Sequence, residues 1–221
     1  MDSIGQYRIE LERIEQEFEF DEPSGSPRFQ LPQDVGHREV LDYANKYGIK
    51  HAIELRDALA VCKGVFKESI HLIDIGCGPA LTAEVVREAG ITVRSYFGID
   101  HSPAQVWLAR QINPQANFTT DLAVVPMIRE PALVVMNHIC AQENVSEEHL
   151  SRWVQDLVRI IPNGFHVLSI EPLMNTPKQD RFVSLLKEFG HASSVVVDKR
   201  TPGQFRYEKQ TKVIKVEGSN I

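Results

Sequence analysis

The chain has 221 residues, 43% of them hydrophobic, and a formal net charge of −6. That is enough apolar material for one full core, read as a single α/β domain with an appendage, and no run reaches the roughly eighteen apolar residues of a membrane span. The acidic balance disfavours gripping phosphate backbones, which calls for a basic face. The three cysteines (Cys62, Cys77, Cys140) are widely spaced and form neither a disulfide framework nor a CxxC metal site, which points to a reducing cytoplasm and no metal.

The N-terminal stretch lacks the basic-then-apolar layout of a signal peptide. Ile4, Tyr7, Leu11, Ile14 and Phe18 recur at helical spacing and predict an amphipathic helix over residues 3–20. Its stripe is expected to pack on the main domain, to meet a second subunit or another partner, or to cover a ligand. Residues 21–33 hold three prolines and a Gly-Ser pair and read as an extended arm, so residues 1–34 form a unit preceding a domain over 35–221. Helical stretches near 35–46 and 49–66, broken at Gly48, make a cover over 35–68. His37 and His51 lie there without acidic or cysteine neighbours at ligand spacing and read as surface or capping residues.

The core over 69–217 starts with the stretch HLIDIGCGPA at residues 71–80. Leu72, Ile73 and Ile75 surround Asp74, the run breaks at Gly76, Cys77 and Gly78, and helical spacing resumes with Leu81, Val85, Val86 and Ala89. Such a strand–loop–helix unit lets backbone approach a ligand closely and aims helix-start amides at it. About twenty residues on, a second short strand over 96–100 ends in Asp100, placed to accept hydrogen bonds from ribose hydroxyls. Together they imply a nucleoside-bearing cofactor.

Ser102 and Pro103 start the next helix. A third strand over 116–120 closes on Asp121, and a buried fourth over 132–136 runs into Asn137, His138, Ile139 and Cys140. Ser146 caps a strong helix over 146–161, followed by a fifth strand over 165–170 with Glu171 at its tip, a helix over 177–190, and a last strand pair at 193–198 and 212–217. Alternating strands and helices call for a seven-stranded, mostly parallel, doubly wound sheet. The closing pair, joined without a helix, requires an antiparallel C-terminal member. Lys199, Arg200, Arg206, Lys209, Lys212 and Lys215 make this tail basic, either as a solvated hairpin or as an edge for an anionic partner.

This order of motifs resembles the class I S-adenosylmethionine-dependent methyltransferases, over about residues 69–217. The resemblance is carried by DIGCGPA at 74–80, GIDHS at 98–102, TTDL at 119–122, ALVVMNH at 132–138 and the strand–helix–strand–strand finish. It implies a Rossmann-like fold, S-adenosylmethionine as cofactor, and methyl transfer by in-line displacement. It further implies that Asp74 holds the cofactor's amino group and that Gly76 and Gly78 pass beside its methionine part. Asp100 would bind the ribose, with His101 and Ser102 near the adenine. Asp121 would receive the adenine amino group, and Asn137 would flank the sulfonium and the acceptor. Cys77 reads as a small cofactor-facing side chain.

Two departures matter. Ala80 stands where the family's loop has its third glycine. Asn137-His138-Ile139-Cys140 is not the Asn-Pro-Pro-aromatic arrangement that cradles planar amide or base nitrogens, which disfavours methylation of bases or glutamine. His138, at the carboxyl end of the fourth strand, is the candidate general base for an acceptor oxygen, or else a histidine tied to backbone beneath the crevice. Cys140, Glu143 and Glu171 are weaker candidates. The acceptor is read as a small molecule or a protein, in O- or N-methyl transfer. The rivals are a non-catalytic cofactor-binding partner subunit, an RNA methyltransferase using the basic hairpin, and a nicotinamide oxidoreductase.

Overall fold

The computed structural model describes residues 2–18, 35–62, 64–66, 69–140, 142, 145–173, 176–191, 193–202 and 208–218. The arm expected at 21–33, Glu143 and Arg206 lie outside the described residues. Seven strands form one sheet in the order β3-β2-β1-β4-β5-β7-β6. They are β1 (Ile70–Ile75), β2 (Val93–Ile99), β3 (Asn117–Thr119), β4 (Ala132–Asn137), β5 (Gly164–Pro172), β6 (Ser193–Pro202) and β7 (Glu208–Glu217). β7 alone runs against its neighbours, pairing antiparallel with β5 and β6. Fold class and strand direction are therefore as the sequence predicts, with a shorter β3 and a longer final pair.

The apolar runs of β1 and β4 are nearly continuous because both faces of the sheet are covered, as parallel strands require. Alternate residues serve opposite cores. Leu72, Leu133, Val135, Leu168 and Val213 face one core, while Ile73, Val134, Met136, Val167 and Ile214 face the other. The first core is closed by α1 (Ser3–Glu17), α3 (Ile49–Val61), α4 (Thr82–Glu88) and α5 (Pro103–Ile112), the second by α6 (Glu147–Ile160) and α7 (Thr176–Glu188). Ser102 and Ser146 cap α5 and α6 with their hydroxyls, as expected.

The N-terminal stripe is used within the chain. Tyr7, Leu11 and Ile14 are buried, and α1 packs on α4 and α5. The cover differs from the expectation at Gly48. There α2 (His37–Tyr43), a π-helical turn (Ala44–Gly48) and α3 run on without a break. Glycine is needed for close approach instead, since a Cβ at this position would lie 2.6 Å from the Tyr7 hydroxyl and 3.1 Å from Pro79 Cγ.

Strand order reverses between β1 and β4, so the crevice outside their carboxyl ends is where an open α/β sheet takes its ligand.

Candidate active site

A cavity of about 520 Å³ occupies that crevice. Asp74, Gly76, Cys77, Gly78, Asp100, His101, Asp121, Asn137 and His138 all line it, so nine of the ten positions singled out from sequence converge. Ser102 is the exception. It is fully buried behind the wall, its hydroxyl accepting from Gln105 N–H at the start of α5.

The loop after β1 has its shape fixed by the neighbouring strand tip. Gly76 and Cys77 N–H groups both donate to Ile99 O, at 2.7 and 3.0 Å. Gly78 N–H donates to Asp100 Oδ2 at 3.0 Å, and Ser102 N–H donates to Asp100 Oδ1 at 3.0 Å. Gly76 (φ 74°) and Gly78 (φ 47°) take left-handed conformations that side chains disfavour. Ala80 adopts φ 62°, a strained value that a glycine would take freely, which is the physical content of that departure from the family's loop.

Asp74 is 2% exposed and accepts from the Tyr96 hydroxyl at 2.9 Å. Burial pushes its carboxyl up to about 6, against hydrogen bonds from Thr82 and Tyr96 that hold it down and a further rise from Asp100. Such a carboxylate is poised for a cationic partner. Cys77 is also buried, its thiol pushed up by burial and by Asp100 and Asp74, so it is no nucleophile at neutral pH. Across the cavity Asp121 is exposed and accepts from Ala123 N–H at 2.9 Å, capping the short 3-10 turn Leu122–Val124.

The β4 tip meets the helical cover. Asn137 Nδ2 donates to His51 O at 3.2 Å, and its buried Oδ1 has no hydrogen-bond partner. His138 takes φ 59°, a left-handed value rare for a side-chain-bearing residue, held by its N–H donating to Ile170 O at 2.8 Å. That turn sends its ring into α3, where His138 Nε2 and Glu54 Oε2 share a hydrogen bond of 2.6 Å with both side chains 1% exposed or less. His138 therefore touches the cavity with a ring whose Nε2 is already engaged.

Two of the weaker candidates, Glu171 and Cys140, bond to one another. Glu171 is fully buried and accepts from Cys140 N–H at 2.8 Å, and the buried Cys140 thiol is pushed up by burial and by Glu171.

Sequence reasoning missed the wall supplied by the cover. Tyr43, Gly48, His51, Ala52 and Leu55 face the cavity from α2, the π-helical turn and α3. His51, read from sequence as a surface or capping residue, instead stacks on His138 with ring centroids 4.8 Å apart. Gln105 also lines the cavity, its buried Oε1 without a hydrogen-bond partner. The one available signal was the helical spacing of Gly48, Ala52 and Leu55, which sets them on one face.

The basic hairpin is corrected as well. Lys209 and Lys212 are withdrawn from solvent, Lys212 pairing with Asp180 and Lys209 Nζ donating to Glu54 O at 3.4 Å. Lys215 pairs with Glu217 at 3.1 Å. Among the described residues no cluster of three His, Cys, Asp or Glu side chains could hold a metal, and no helix is long and apolar enough to cross a membrane.

Comparison with solved structures finds the same fold in several S-adenosylmethionine-dependent methyltransferases. The chain is similar to a TehB-like S-adenosylmethionine-dependent methyltransferase from Corynebacterium glutamicum (TM-score 0.57, 13% identity, 80% of this chain and 97% of that one). It is similar also to the N-methyltransferase NodS from Bradyrhizobium japonicum (TM-score 0.54, 14% identity, 79% and 98%). A third is the magnesium protoporphyrin IX methyltransferase from Synechocystis, solved with bound S-adenosylmethionine (TM-score 0.52, 15% identity, 85% and 100%). No protein-family model matches the chain, and no curated protein matches it. At these identities the likeness is one of fold.

Proposed function

We propose that the protein is an S-adenosylmethionine-dependent methyltransferase acting on a small-molecule or protein acceptor. The reading is carried by one observation. Asp74, Asp100 and Asp121, at the carboxyl ends of three neighbouring strands, face one cavity over a loop whose glycine backbone is open to a ligand. Two orphaned acceptors in the same wall, Asn137 Oδ1 and Gln105 Oε1, suit a ligand rich in hydroxyl and amino donors. The cofactor would supply an electrophilic methyl group on a sulfonium. In this reading Asp74 holds the cationic amino group, Asp100 the ribose hydroxyls and Asp121 the adenine amino group, with His101 beside the ring. Gly76, Cys77 and Gly78 line the methionine part, and Asn137 and His138 bound the end where the acceptor enters. Alignment of acceptor and methyl is then the main catalytic contribution.

A cytoplasmic setting belongs to the same reading and is supported by three free, buried thiols. Burial of Lys209 and Lys212 speaks against an RNA acceptor, and burial of Tyr7, Leu11 and Ile14 within the chain favours a role for α1 in the fold. The test is incubation of the purified full chain with methyl-labelled S-adenosylmethionine and cell extract separated into metabolite, protein and RNA pools. Label entering the metabolite or protein pool supports the reading. Label confined to RNA, or no transfer to any pool, overturns it.

A further inference from the structure

The Asp100 carboxylate is crowded before any ligand reaches it. Gly78 N–H donates to its Oδ2 at 3.0 Å and Ser102 N–H donates to its Oδ1 at 3.0 Å. The His101 ring also stands beside Oδ1, with Nδ1 3.4 Å away. An ionised carboxylate has about four lone-pair sites, two on each oxygen. Oδ1 is flanked on both sides, which leaves one site on Oδ2. A ribose with both its 2′- and 3′-hydroxyls free brings two donors. Asp100 takes one of them, and the other needs a second acceptor.

The cavity wall holds one. Gln105 lies in the first turn of α5, where side chains lean back toward the start of the helix and so toward the turn at residues 100–102. Its own N–H donates to Ser102 Oγ at 3.3 Å, which ties it to that turn. Gln105 lines the cavity and is 4% exposed, and its Oε1 has no hydrogen-bond partner. A buried acceptor left in that state is unfavourable in the ligand-free fold, and something has to supply it with a donor. A sugar hydroxyl suits either end of a carboxamide, because it both donates and accepts. The adenine amino group lies elsewhere in this reading, since Asp121 follows β3 whereas Gln105 follows β2.

We propose that Gln105 is a second ribose-reading residue, its side-chain amide receiving one of the two vicinal hydroxyls of the cofactor's ribose while Asp100 receives the other. The assignment rests on the methyltransferase reading above and deepens it. Asp100 then has a double task, holding the glycine loop through Gly78 and accepting a single hydroxyl. The diol is measured by two residues on one turn of chain, so each hydroxyl is felt by a different side chain. A nucleoside lacking either hydroxyl, or carrying a phosphate on one, fails to satisfy one of the two acceptors. No strand-end pattern marks Gln105, whose role depends on how the other acceptor is already occupied.

The test is titration calorimetry on the full chain with S-adenosylhomocysteine and with its 2′-deoxy and 3′-deoxy analogues. Absence of S-adenosylhomocysteine binding removes the methyltransferase reading, and this assignment with it. With binding in place, Gln105→Leu and Gln105→Met are expected to hold S-adenosylhomocysteine about fivefold to tenfold more weakly than the wild type, the scale of one hydrogen bond. Toward one of the two deoxy analogues the variants and the wild type should bind equally, because the hydroxyl that Gln105 receives is gone. Toward the other analogue the full loss should remain. The thermal midpoint of the ligand-free variants should hold or rise, since an orphaned acceptor has been replaced by apolar atoms, whereas a purely structural glutamine would lower it. Undiminished S-adenosylhomocysteine affinity in both variants, or the same loss toward all three ligands, overturns the assignment while leaving the methyltransferase reading in place.

Discussion

Asp74 links the stability of the fold to the affinity of its site, and replacing it with asparagine separates the two. Its folded value of about 6 lies above its ordinary 3.8. The fold therefore favours the protonated acid, and the penalty on the ionised form is absent below about pH 4 and complete above about pH 6. The gap corresponds to about 3 kcal/mol at about 1.36 kcal/mol per tenfold, an upper figure for what Asp74→Asn recovers at pH 7.5. The amide still offers an oxygen to the Tyr96 hydroxyl, so the variant's ligand-free form is expected to be more stable in urea unfolding at pH 7.5 and unchanged near pH 4. In the other direction, S-adenosylhomocysteine affinity should fall by about tenfold or more, the scale of a lost charged hydrogen bond. Wild-type affinity should itself drop about tenfold between pH 7 and pH 5 as Asp74 protonates, while the variant's affinity stays flat over that range. Calorimetry across pH reads both. A variant destabilised at pH 7.5, or a wild-type affinity indifferent to pH, would refute the reasoning.

Asp100→Ala removes the acceptor for Gly78 N–H and Ser102 N–H together, so S-adenosylhomocysteine affinity should fall by at least about tenfold in calorimetry. Gly48→Ala sets a Cβ 2.6 Å from the Tyr7 hydroxyl and should cost about 1–3 kcal/mol in urea unfolding. Tyr7→Phe deletes a buried hydroxyl that has no hydrogen-bond partner, so it should be neutral or stabilising alone and restore most of the loss in the double variant. Gly76→Ala combines φ 74° with a Cβ 1.7 Å from Ile139 Cδ1, and should lower both the thermal midpoint and S-adenosylhomocysteine affinity, since Ile139 can yield only into the cavity wall.

The sheet was legible because its burial on both faces leaves a plain mark, short apolar runs that stop at Gly76, Asp100 and Asn137 with helical spacing between them. The glycine loop and the acids beyond it could be placed because their roles depend on strand ends, which pattern locates. The cover was not legible in the same way. Gly48 carries the mark of a helix breaker, yet it permits Tyr7 and Pro79 to approach a continuous helix, a contact made across more than thirty residues of chain in either direction. His51, Glu54 and Lys209 gain meaning only by meeting His138, and no spacing along the chain encodes a meeting between α3, β4 and β7. The basic tail misled for a related reason. Lys209 and Lys212 lie in a strand buried between β5 and β6, where each finds a partner on another element.

The most direct measurement is titration calorimetry of the full chain with S-adenosylhomocysteine, repeated with NADH as competitor. The account predicts one-to-one binding of S-adenosylhomocysteine that NADH does not displace and that Asp100→Ala weakens. Binding of NADH in its place, or S-adenosylhomocysteine binding untouched by Asp100→Ala, would contradict it.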